Sequence, residues 1–443
     1  MKKRKSVVAF LVAMCMVAVS LAGCGNGGKA TEIQGSSTAD QSEANEAAKT
    51  SESKETDAGT QQEQDVELSI LVMFDPQTGS HWKLDTFEEA AEALGYKVNV
   101  ERVDDETYKT KIRVMLQANE LPDLFYTWGG SYSEPFIAAE ALQPLDAQLE
   151  TSGYELYDTY KEKEVTYAVP TNALETYCMF YNKDVLNELG LDPPTDWDEL
   201  LTLVEACNEK GIGAIGLGNK DRWEGDLFYN MMVVREDADA FANAVQGGES
   251  FTDEAFLTAA EKVETLVSMN AFQSGYMQAS QPECAELLKA GKIAIYPTGS
   301  WELAVFEEEG NIGCTVFPKT GAEDPYLSCC GNASDAGMAV NANSANVEAA
   351  TKLAVEYSKR LNDHLVAEGE PAYFETDIKP DEQSEMMSTY VENLQKMQKS
   401  QLWWFTYLDT SIGEPMRDLS HQQFAGQVDA QSFVDQLQSI IKQ

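Results

Sequence analysis

Hydrophobic residues in most of this chain alternate between short continuous runs and wider helical spacing. The near-continuous apolar run at 68–74 is typical of a strand covered on both faces. Helical spacing follows it and ends at Gly95, which is a stop signal. A second strand pattern at 97–103, a helical pattern around Ile112 and a third strand pattern at 123–128 continue the series. This β-α-β-α-β order predicts a parallel sheet with helices on both faces.

The same mixture of patterns continues through the middle of the chain. Residues 177–182 and 292–296 are predicted as strands, and 347–361 has the apolar spacing of a helix. Asp196 stands where a helix N-cap is expected, with Glu199 three residues later as in a capping box. The C-terminal part is helical by pattern. Beyond the N-terminus, no apolar stretch approaches the length of a membrane span.

The N-terminus has a different pattern. Basic residues at 2–5 precede a charge-free apolar run at 7–22, and the stretch that ends in Ala22, Gly23 and Cys24 resembles a lipobox. It predicts a signal peptide, residues 1–23, cleaved before Cys24, which then carries lipid on its sulfur and its new amino terminus. The alternatives are ordinary secretion with a chance cysteine, or a transmembrane anchor, for which the run is shorter than the usual length of about 20 residues.

Small and polar residues dominate the segment that follows. Between Cys24 and residue 65, Ile33 is the only large apolar side chain. Such a segment cannot bury enough surface to offset its ordering entropy, so we expect residues 24–65 to form the lipidated cysteine and a disordered tether. The folded part is therefore expected at the extracytoplasmic face of the cell membrane, held there by lipid alone.

Charge narrows the possible partners. The chain carries a formal net charge of −42, with 43% hydrophobic and 9% aromatic residues, a composition typical of a globular protein. Nucleic acid and anionic lipid headgroups would be repelled, so neither is expected as a partner. A monomer is expected.

The cysteines allow two interpretations. Six remain after cleavage and lipidation: Cys178, Cys207, Cys284, Cys314, Cys329 and Cys330. An oxidising exterior would permit disulfides, with 15 possible pairings of six cysteines. The alternative is that they are small buried hydrophobic residues. No CxxC spacing or nearby histidine points to a metal site, and no metal or cofactor is expected.

Catalytic and nucleotide-binding motifs are weak or missing. Gly211, Gly213 and Gly216 have GxGxxG spacing, but they follow a helix and lead into a strand, the reverse of a dinucleotide site. Gly211 is better interpreted as a helix C-cap. There is no GxSxG, HExxH or P-loop. The histidines, too scattered for a triad, are His81, His364 and His421.

Several segments in a fixed order resemble one known family. Residues 165–200, the AGKIAIYPTGSW segment at 290–301, and LPDLFYTWGG at 121–130 followed by ALQPLDAQL at 141–149 are similar to sequences of the extracellular solute-binding proteins that feed ABC importers. The similarity is to the sugar-binding family that includes maltose-binding protein, and it runs from about residue 67 to 434.

The resemblance implies an α/β fold of two lobes, the periplasmic-binding-protein-like fold, in which each lobe is a mainly parallel sheet flanked by helices. The chain would cross between lobes at hinges near 172–176 and 328–332. The implied N-terminal lobe is 66–173 plus 333–373, and the C-terminal lobe is 176–330 plus 374–443.

The resemblance also implies a ligand site in the cleft between the lobes. Glu175 matches a cleft-lining glutamate and Trp301 a sugar-stacking tryptophan, while the sequence around Trp403 departs from the family pattern. Other candidates follow predicted strands, where ligands usually bind. The full set of expected ligand-binding residues is Asp75, Gln77, His81, Trp128, Glu175, Asp221, Arg222, Trp223, Trp301, Trp403 and Trp404.

The function implied is capture of a carbohydrate, an oligosaccharide in size, and its delivery to the permease subunits of an ABC importer. Aromatic faces suit the C–H patches of sugars, and carboxylates or amides suit their hydroxyls. A polyamine, a peptide or a sugar phosphate on the same fold is an alternative. Few basic residues are expected near the cleft, which disfavours anions, although Arg222 and Arg417 leave that open. A surface-anchored glycosidase that uses carboxylates such as Glu175 is the alternative from another class.

Overall fold

In the computed structural model the folded part of the chain spans Asp65–Gln443. The described residues are 66–73, 81–129, 132–154, 165–171, 175–246, 250–321, 327–330, 336–380, 383–397, 399–404, 408 and 410–441. The predicted signal peptide, Cys24 and the tether lie outside them. Among the helices of the described ranges, none has the length and apolar character needed to cross a membrane.

The strands of the described residues are short and mostly buried. In chain order they are β1 (Glu67–Val72), β2 (Lys97–Arg102), β3 (Leu124–Thr127), β4 (Ala168–Pro170), β5 (Tyr177–Asn182), β6 (Gly213–Ile215), β7 (Ile293–Gly299), β8 (Ile312–Thr315), β9 (Leu327–Cys330), β10 (Gly337–Val340) and β11 (Lys399–Leu402).

Helices connect most of these strands. They are α1 (His81–Leu94), α2 (Asp105–Ala118), α3 (Glu134–Ala138), α4 (Asp146–Glu150), α5 (Lys183–Leu189), α6 (Trp197–Lys210), α7 (Trp223–Glu236), α8 (Ala240–Gln246), α9 (Glu254–Ser268), α10 (Gln281–Lys289), α11 (Leu303–Phe306), α12 (Val347–Ala367), α13 (Glu385–Lys396), α14 (Thr410–Phe424) and α15 (Ala430–Ile441). Two 3-10 turns, Asn219–Asp221 and Ser300–Glu302, matter for the site.

The first sheet has the strand order β2-β1-β3-β10-β4. β1 pairs in parallel with β2 and β3, as the β-α-β-α-β pattern predicts. β10 is antiparallel to both of its neighbours, and Ala339 in it lies opposite Phe125 on one side and Ala168 on the other. All strands of this sheet except β10 therefore run in one direction.

The second sheet has the order β6-β7-β5-β8. β6 and β7 are parallel, whereas β5 is antiparallel to β7 and to β8. Again one strand, β5, runs against the others. A separate pair, β9 and β11, is parallel.

The two reversed strands are the first strands after the chain changes sheets. β5 follows β4 of the first sheet, and β10 is the strand that returns to that sheet. Strands such as β3 and β7 end at the cleft described below, so a strand that enters from the cleft side must run the other way. The α/β architecture of sheets flanked by helices is confirmed, whereas the strand pairings are mixed, because one strand in each sheet runs against the others. Of the predicted hinge segments, residues 172–174 and 331–332 lie outside the described residues.

Each sheet has its own buried core. The first core packs β1, β3 and β10 against α1 and α12, where the rings of Phe87 and Tyr357 stack with centroids 3.6 Å apart. The second sheet is covered on one face by the second core, which includes α6, α7, α9 and α15. Its other face packs against α10 and α13. The second sheet is thus buried on two faces, which accounts for its continuous apolar strands.

Two local predictions are confirmed by hydrogen bonds. The Asp196 carboxylate accepts the N–H of Glu199 at 2.9 Å, as the N-cap of α6. Gly211 ends the same helix with φ +71°, a left-handed conformation that glycine adopts without strain. The GxGxxG spacing is therefore a helix end followed by a strand.

The thiols that the structure describes are not paired in disulfides. Cys178, Cys207, Cys284 and Cys314 are free and buried, as small hydrophobic residues would be. For these four the second interpretation is confirmed. The side chains of Cys329 and Cys330 lie outside the described part of the chain.

Candidate ligand-binding site

A cleft of about 1820 Å³ is lined by residues of both the first and the second core. It lies at strand ends: Trp128 and Gly129 follow β3, Thr171 follows β4, and Trp301 follows β7 by two residues. The carboxyl ends of strands are where ligands usually bind in α/β folds, because the following loops converge there. The volume exceeds the usual range of about 300–1,000 Å³ for small-molecule pockets.

Three tryptophans line the cleft on the side of the second core. The ring centroids of Trp223 and Trp301 are 5.8 Å apart, and those of Trp301 and Trp403 are 6.4 Å apart. Their planes meet at 59° and 67°, so the rings are angled to one another. We call these three residues the tryptophan wall. Gly299 makes room for it, because a Cβ at that position would lie 2.0 Å from the Trp301 ring.

Two aromatic rings line the cleft on the side of the first core. Trp128 and Tyr132 pack edge to face with centroids 4.6 Å apart. The ammonium of Lys109 lies 5.3 Å from the Trp128 ring centroid, and the Arg113 guanidinium lies 5.5 Å from that of Tyr132. Both cations come from α2. We call Trp128 and Tyr132 the cation-covered wall.

Carboxylates and polar groups lie around these rings. Glu302 follows Trp301 directly, is buried, and accepts a hydrogen bond from the Gln281 amide at 2.5 Å. Burial raises the pKa of Asp221, and the charge of Glu106 adds to the rise. Such acceptors, set between aromatic faces, can bind the hydroxyls of a neutral polar ligand.

Two further carboxylates line the cleft close to the first core. Burial raises the pKa of Glu370 to about 7, and Lys83 opposes that rise. Glu175 lies near Tyr126, where its charge adds to the burial that raises the pKa of that phenol. Glu175 is therefore placed in the cleft as its predicted role requires.

The cleft contains more basic side chains than the sequence suggested. The cations that line it are Lys83, Lys109, Arg113, Lys220, Arg222 and Arg417. Several are neutralised locally: Lys109 lies 3.1 Å from Glu106 and also pairs with Asp105. The expectation of few basic residues near the cleft is wrong. Three of these cations, Lys109, Arg222 and Arg417, pair with acids, which reduces the positive charge that they bring to the site.

Arg222 has a different role from the expected ligand contact. Its guanidinium bonds to Asp418 and, at 3.3 Å, to Glu414, both on α14. Its backbone has φ +68°, an uncommon conformation for a residue with a side chain. The ion pairs fix this turn against α14, although Arg222 still borders the cleft.

Trp404 is a core residue and does not line the cleft. Only 1% of it is exposed, its indole N–H donates to Asp226 at 3.0 Å, and its ring packs against Tyr229 with centroids 5.3 Å apart. The neighbouring Trp403 is also buried, with 4% of it exposed, but it does border the cleft. The prediction of Trp404 as a ligand contact is therefore wrong.

The remaining predicted residues divide into two groups. Trp128, Asp221, Trp223 and Trp301 all border the cleft, as predicted. Asp75 and Gln77, together with the side chain of His81 at the start of α1, lie outside what the structure describes. Within the described ranges, no group of three or more His, Cys, Asp or Glu residues could hold a metal ion.

Sequence reasoning missed Tyr132, Lys109, Arg113, Glu302 and Glu370. Two of them carried a usable signal. Tyr132 follows the end of β3 closely, and Glu302 is next to Trp301 in the turn after β7, so the strand-end rule that found Trp128 and Trp301 also applies to them. The cations of α2 and the distant Glu370 had no such signal.

Comparisons with known proteins agree with this geometry. The sequence profile described as "Bacterial extracellular solute-binding protein" matches residues 81–357. An ABC transporter extracellular-binding protein of Pyrococcus horikoshii is 24% identical over 218 residues, which is 46% of this chain and 47% of that protein. The multiple sugar-binding protein of Streptococcus mutans is 27% identical over 175 residues, or 37% of this chain and 41% of that protein. The chain thus matches less than half the length of these curated relatives.

The structural match is more extensive. A solved structure from work on xylan utilization by the thermophilic bacterium Caldanaerobius polysaccharolyticus superposes with a TM-score of 0.78 at 26% identity. The alignment covers 85% of this chain and 100% of that one. The two sheets and the cleft between them therefore belong to an architecture that is shared over the whole of that structure.

Proposed function

Because the chain belongs to the family of bacterial extracellular solute-binding proteins, we propose that it captures a carbohydrate in the cleft and delivers it to an ABC permease. The expected ligand is an oligosaccharide, bound without chemical change. The family is one of substrate-binding proteins, and the protein acts, on this proposal, as a binding component and not as an enzyme.

The observation that carries the proposal is the presence of two aromatic walls in one cleft. The tryptophan wall has three angled rings, and the cation-covered wall has two. Sugars present flat C–H patches that aromatic faces cover, and the carboxylates of Asp221, Glu175 and Glu302 are placed to accept hydroxyl hydrogens. Several rings along a large cleft fit several sugar units better than one.

The comparisons support the same ligand class. One relative is named as a multiple sugar-binding protein, and the Caldanaerobius polysaccharolyticus structure was solved in work on xylan utilization. A strongly anionic ligand is disfavoured because Arg222 and Lys109 are already paired with acids. A neutral oligosaccharide has no negative charge and therefore needs no unpaired cation in the site.

We further propose that the two sheets, each with its helices and core, form two lobes that close on the ligand. The lobes are 66–173 plus 333–373, and 176–330 plus 374–443, with hinges near 172–176 and 328–332. A ligand that contacts both walls binds the closed form more tightly, and so shifts the open–closed equilibrium. The protein is expected to act as a monomer.

The test is a thermal-shift and product assay on residues 65–443 with a panel of solutes. The panel holds raffinose, stachyose, xylotriose and chitotriose, with spermidine and glucose 6-phosphate as charged alternatives. A neutral oligosaccharide that raises the melting temperature and is recovered intact supports the proposal, because a ligand that binds the native state stabilises it. New reducing ends would show a glycosidase instead, and a shift with spermidine alone would show a polyamine carrier.

We also propose that Cys24 is the lipid attachment site and that residues 1–23 are removed. In a bacterial host, Cys24→Ala in the full-length chain is expected to abolish labelling by a fatty-acid analogue and to move the protein from the membrane to the soluble fraction. Cys15→Ala, within the predicted signal peptide, is the matched control and should leave both unchanged. Membrane association that survives Cys24→Ala would point to another anchor.

A further inference from the structure

All three residues of the tryptophan wall are connected to one helix, α7. Trp223 is the first residue of this helix. Two acidic residues of its first turn, Glu224 and Asp226, are only 3% and 2% exposed. The positive end of the helix dipole partly offsets the cost of burying their charges. Neither residue lines the cleft, and each contacts an element that carries another tryptophan of the wall.

Glu224 joins the turn before α7 to the strand that leads to Trp301. One of its oxygens accepts the N–H of Gly218 at 2.5 Å, and the other accepts the Tyr296 hydroxyl and, at 3.3 Å, the Thr298 hydroxyl. Tyr296 and Thr298 lie in β7, whose end is followed by Trp301. The fit is tight, because a Cβ on Gly218 would lie 2.2 Å from the Glu224 oxygen.

Asp226 connects the same helix to the third tryptophan. It accepts the indole N–H of Trp404 at 3.0 Å, and Asn230, one turn later, accepts the backbone N–H of Trp404 at 3.3 Å. Trp404 is thereby held at two points on α7. Since Trp403 is its chain neighbour, these bonds also set where the Trp403 ring enters the cleft.

We infer that Glu224 and Asp226 are positioning residues for the tryptophan wall: Glu224 acts on Trp301 through β7, and Asp226 acts on Trp403 through Trp404. The inference rests on the proposed function insofar as the wall binds sugar. Burying a carboxylate costs free energy that an apolar side chain of similar size avoids. Two such groups in the first turn of one helix, each bonded to a different tryptophan-bearing element, are explained by the geometry that they hold.

The hydrogen-bond pattern suggests variants that distinguish a positioning role of these carboxylates from simple filling of space. The second oxygen of Asp226 has no hydrogen-bond partner among the described residues, so an asparagine can keep its oxygen on Trp404 and turn its amide away. Glutamine at 224 can accept from Gly218, while the hydroxyls of Tyr296 and Thr298 rotate to accept. Both amide variants should preserve the wall, and both alanine variants should not.

The first experiment measures the surroundings of Trp301 and Trp403 without any ligand. Full-length protein is produced with 5-fluorotryptophan and purified in mild detergent for fluorine NMR. The Trp301 and Trp403 resonances are assigned from Trp→Phe variants. Asp226→Ala is expected to shift or broaden the Trp403 resonance, and Glu224→Ala the Trp301 resonance, with the Trp197 resonance unchanged. Asp226→Asn and Glu224→Gln should resemble the wild type. If the alanine variants leave both resonances unmoved, the inference is wrong, whatever the ligand proves to be.

The second experiment measures affinity for the panel sugar that stabilises the wild type most, among raffinose, stachyose, xylotriose and chitotriose. Asp226→Ala should weaken binding about tenfold, and should add nothing in a Trp403→Ala background. The same cycle applies to Glu224→Ala with Trp301→Ala. Equal losses in both backgrounds would show a general structural effect and overturn the inference.

A further variant covers the case in which the alanine proteins fail to fold. Trp404→Phe keeps an aromatic ring in the core but removes the indole N–H that Asp226 accepts, together with part of the ring volume, and is expected to shift the Trp403 resonance as Asp226→Ala would. No shift in this folded variant would contradict the role of Asp226. A wild type that binds no sugar of the panel would count against the proposed function, and the fluorine spectra would still decide the inference.

Discussion

The two aromatic walls of the cleft are held in different ways. The tryptophan wall is fixed from behind by buried carboxylates of α7, and within the described residues no lysine or arginine lies over its rings. In the cation-covered wall, Lys109 and Arg113 lie over the rings of Trp128 and Tyr132. An aromatic face binds either a cation or a sugar at a given moment. On the proposed function, a ligand can contact the first wall directly, whereas a ligand that covers the same faces of the second wall must displace a cation.

Removal of the central ring of the tryptophan wall should have the largest effect. Trp301→Ala is expected to weaken oligosaccharide binding by about 2–3 kcal/mol, because a large aromatic face buried by the ligand is lost. Titration calorimetry measures the loss. Trp197→Ala, a half-buried tryptophan on α6 outside the cleft, is the matched control and should bind normally. Unchanged affinity in Trp301→Ala would remove this wall from the binding site.

The buried carboxylates behind the tryptophan wall should make stability depend on pH. Burial raises the pKa of Glu224 to about 7 and that of Asp226 to about 6, above their ordinary values of 4.5 and 3.8. The folded protein therefore holds protons that the unfolded chain has released, and the free energy of unfolding falls as pH rises through about pH 4–7. The contribution of Glu224 is at most about 3 kcal/mol.

Melting temperatures between pH 5 and pH 8 check this sign. The wild type should be more stable near pH 5 than near pH 8, and Glu224→Gln should flatten the profile because the amide does not titrate. Glu106→Gln, next to the cation-covered wall, is the control and should leave the slope close to that of the wild type. A slope that persists in full without Glu224 and Asp226 would assign the pH dependence to other groups, such as Glu370, whose pKa burial also raises to about 7, or to the overall negative charge.

Loss of a ring from the cation-covered wall should cost less. Trp128→Ala is expected to weaken binding by about 1 kcal/mol, roughly fivefold, because the ligand must first displace the Lys109 ammonium from that ring. The measurement is made on the same sugar as for Trp301→Ala. Equal losses for the two variants would end the distinction between the walls.

The smallest effect is expected from the cation itself. Lys109→Met removes the ammonium from the Trp128 ring and keeps a flexible apolar stem, so binding should tighten by about twofold. Lys111→Met, on the same helix but outside the cleft lining, is the matched control. Weaker binding in Lys109→Met would mean that the ammonium contacts the ligand directly and does not compete with it.

The local patterns of the sequence predicted the parallel strands of the first sheet, but not β10, which completes it. Apolar runs and helix stops are local, so β1, β2 and β3 could be read from alternation and glycine signals. β10 pairs with β3 across more than 200 residues, and no short-range pattern contains that partner. The reversed direction of β5 and β10 follows from the changes of sheet, which only the family resemblance implied.

The candidate site was predictable where strands end and less so elsewhere. Trp128 and Trp301 were found because they follow β3 and β7. Trp403 and Trp404 both lie in the second core and only Trp403 also borders the cleft, a difference that the sequence did not show. The donor–acceptor pair with Asp226 decided it by holding Trp404 in the core.

The place of β10 in the first sheet also sets the order in which the molecule can be completed. β4 pairs with β10 and with no other strand of its sheet in the described residues, and Phe374 closes the same core. The N-terminal half of the chain therefore cannot finish folding until residues beyond Val340 are available, and such long-range pairing is slow. For a protein proposed to leave the cell, this delay keeps the leading segment open while the rest is still being made. Topology alone thus delays completion of the first sheet until most of the chain has been made.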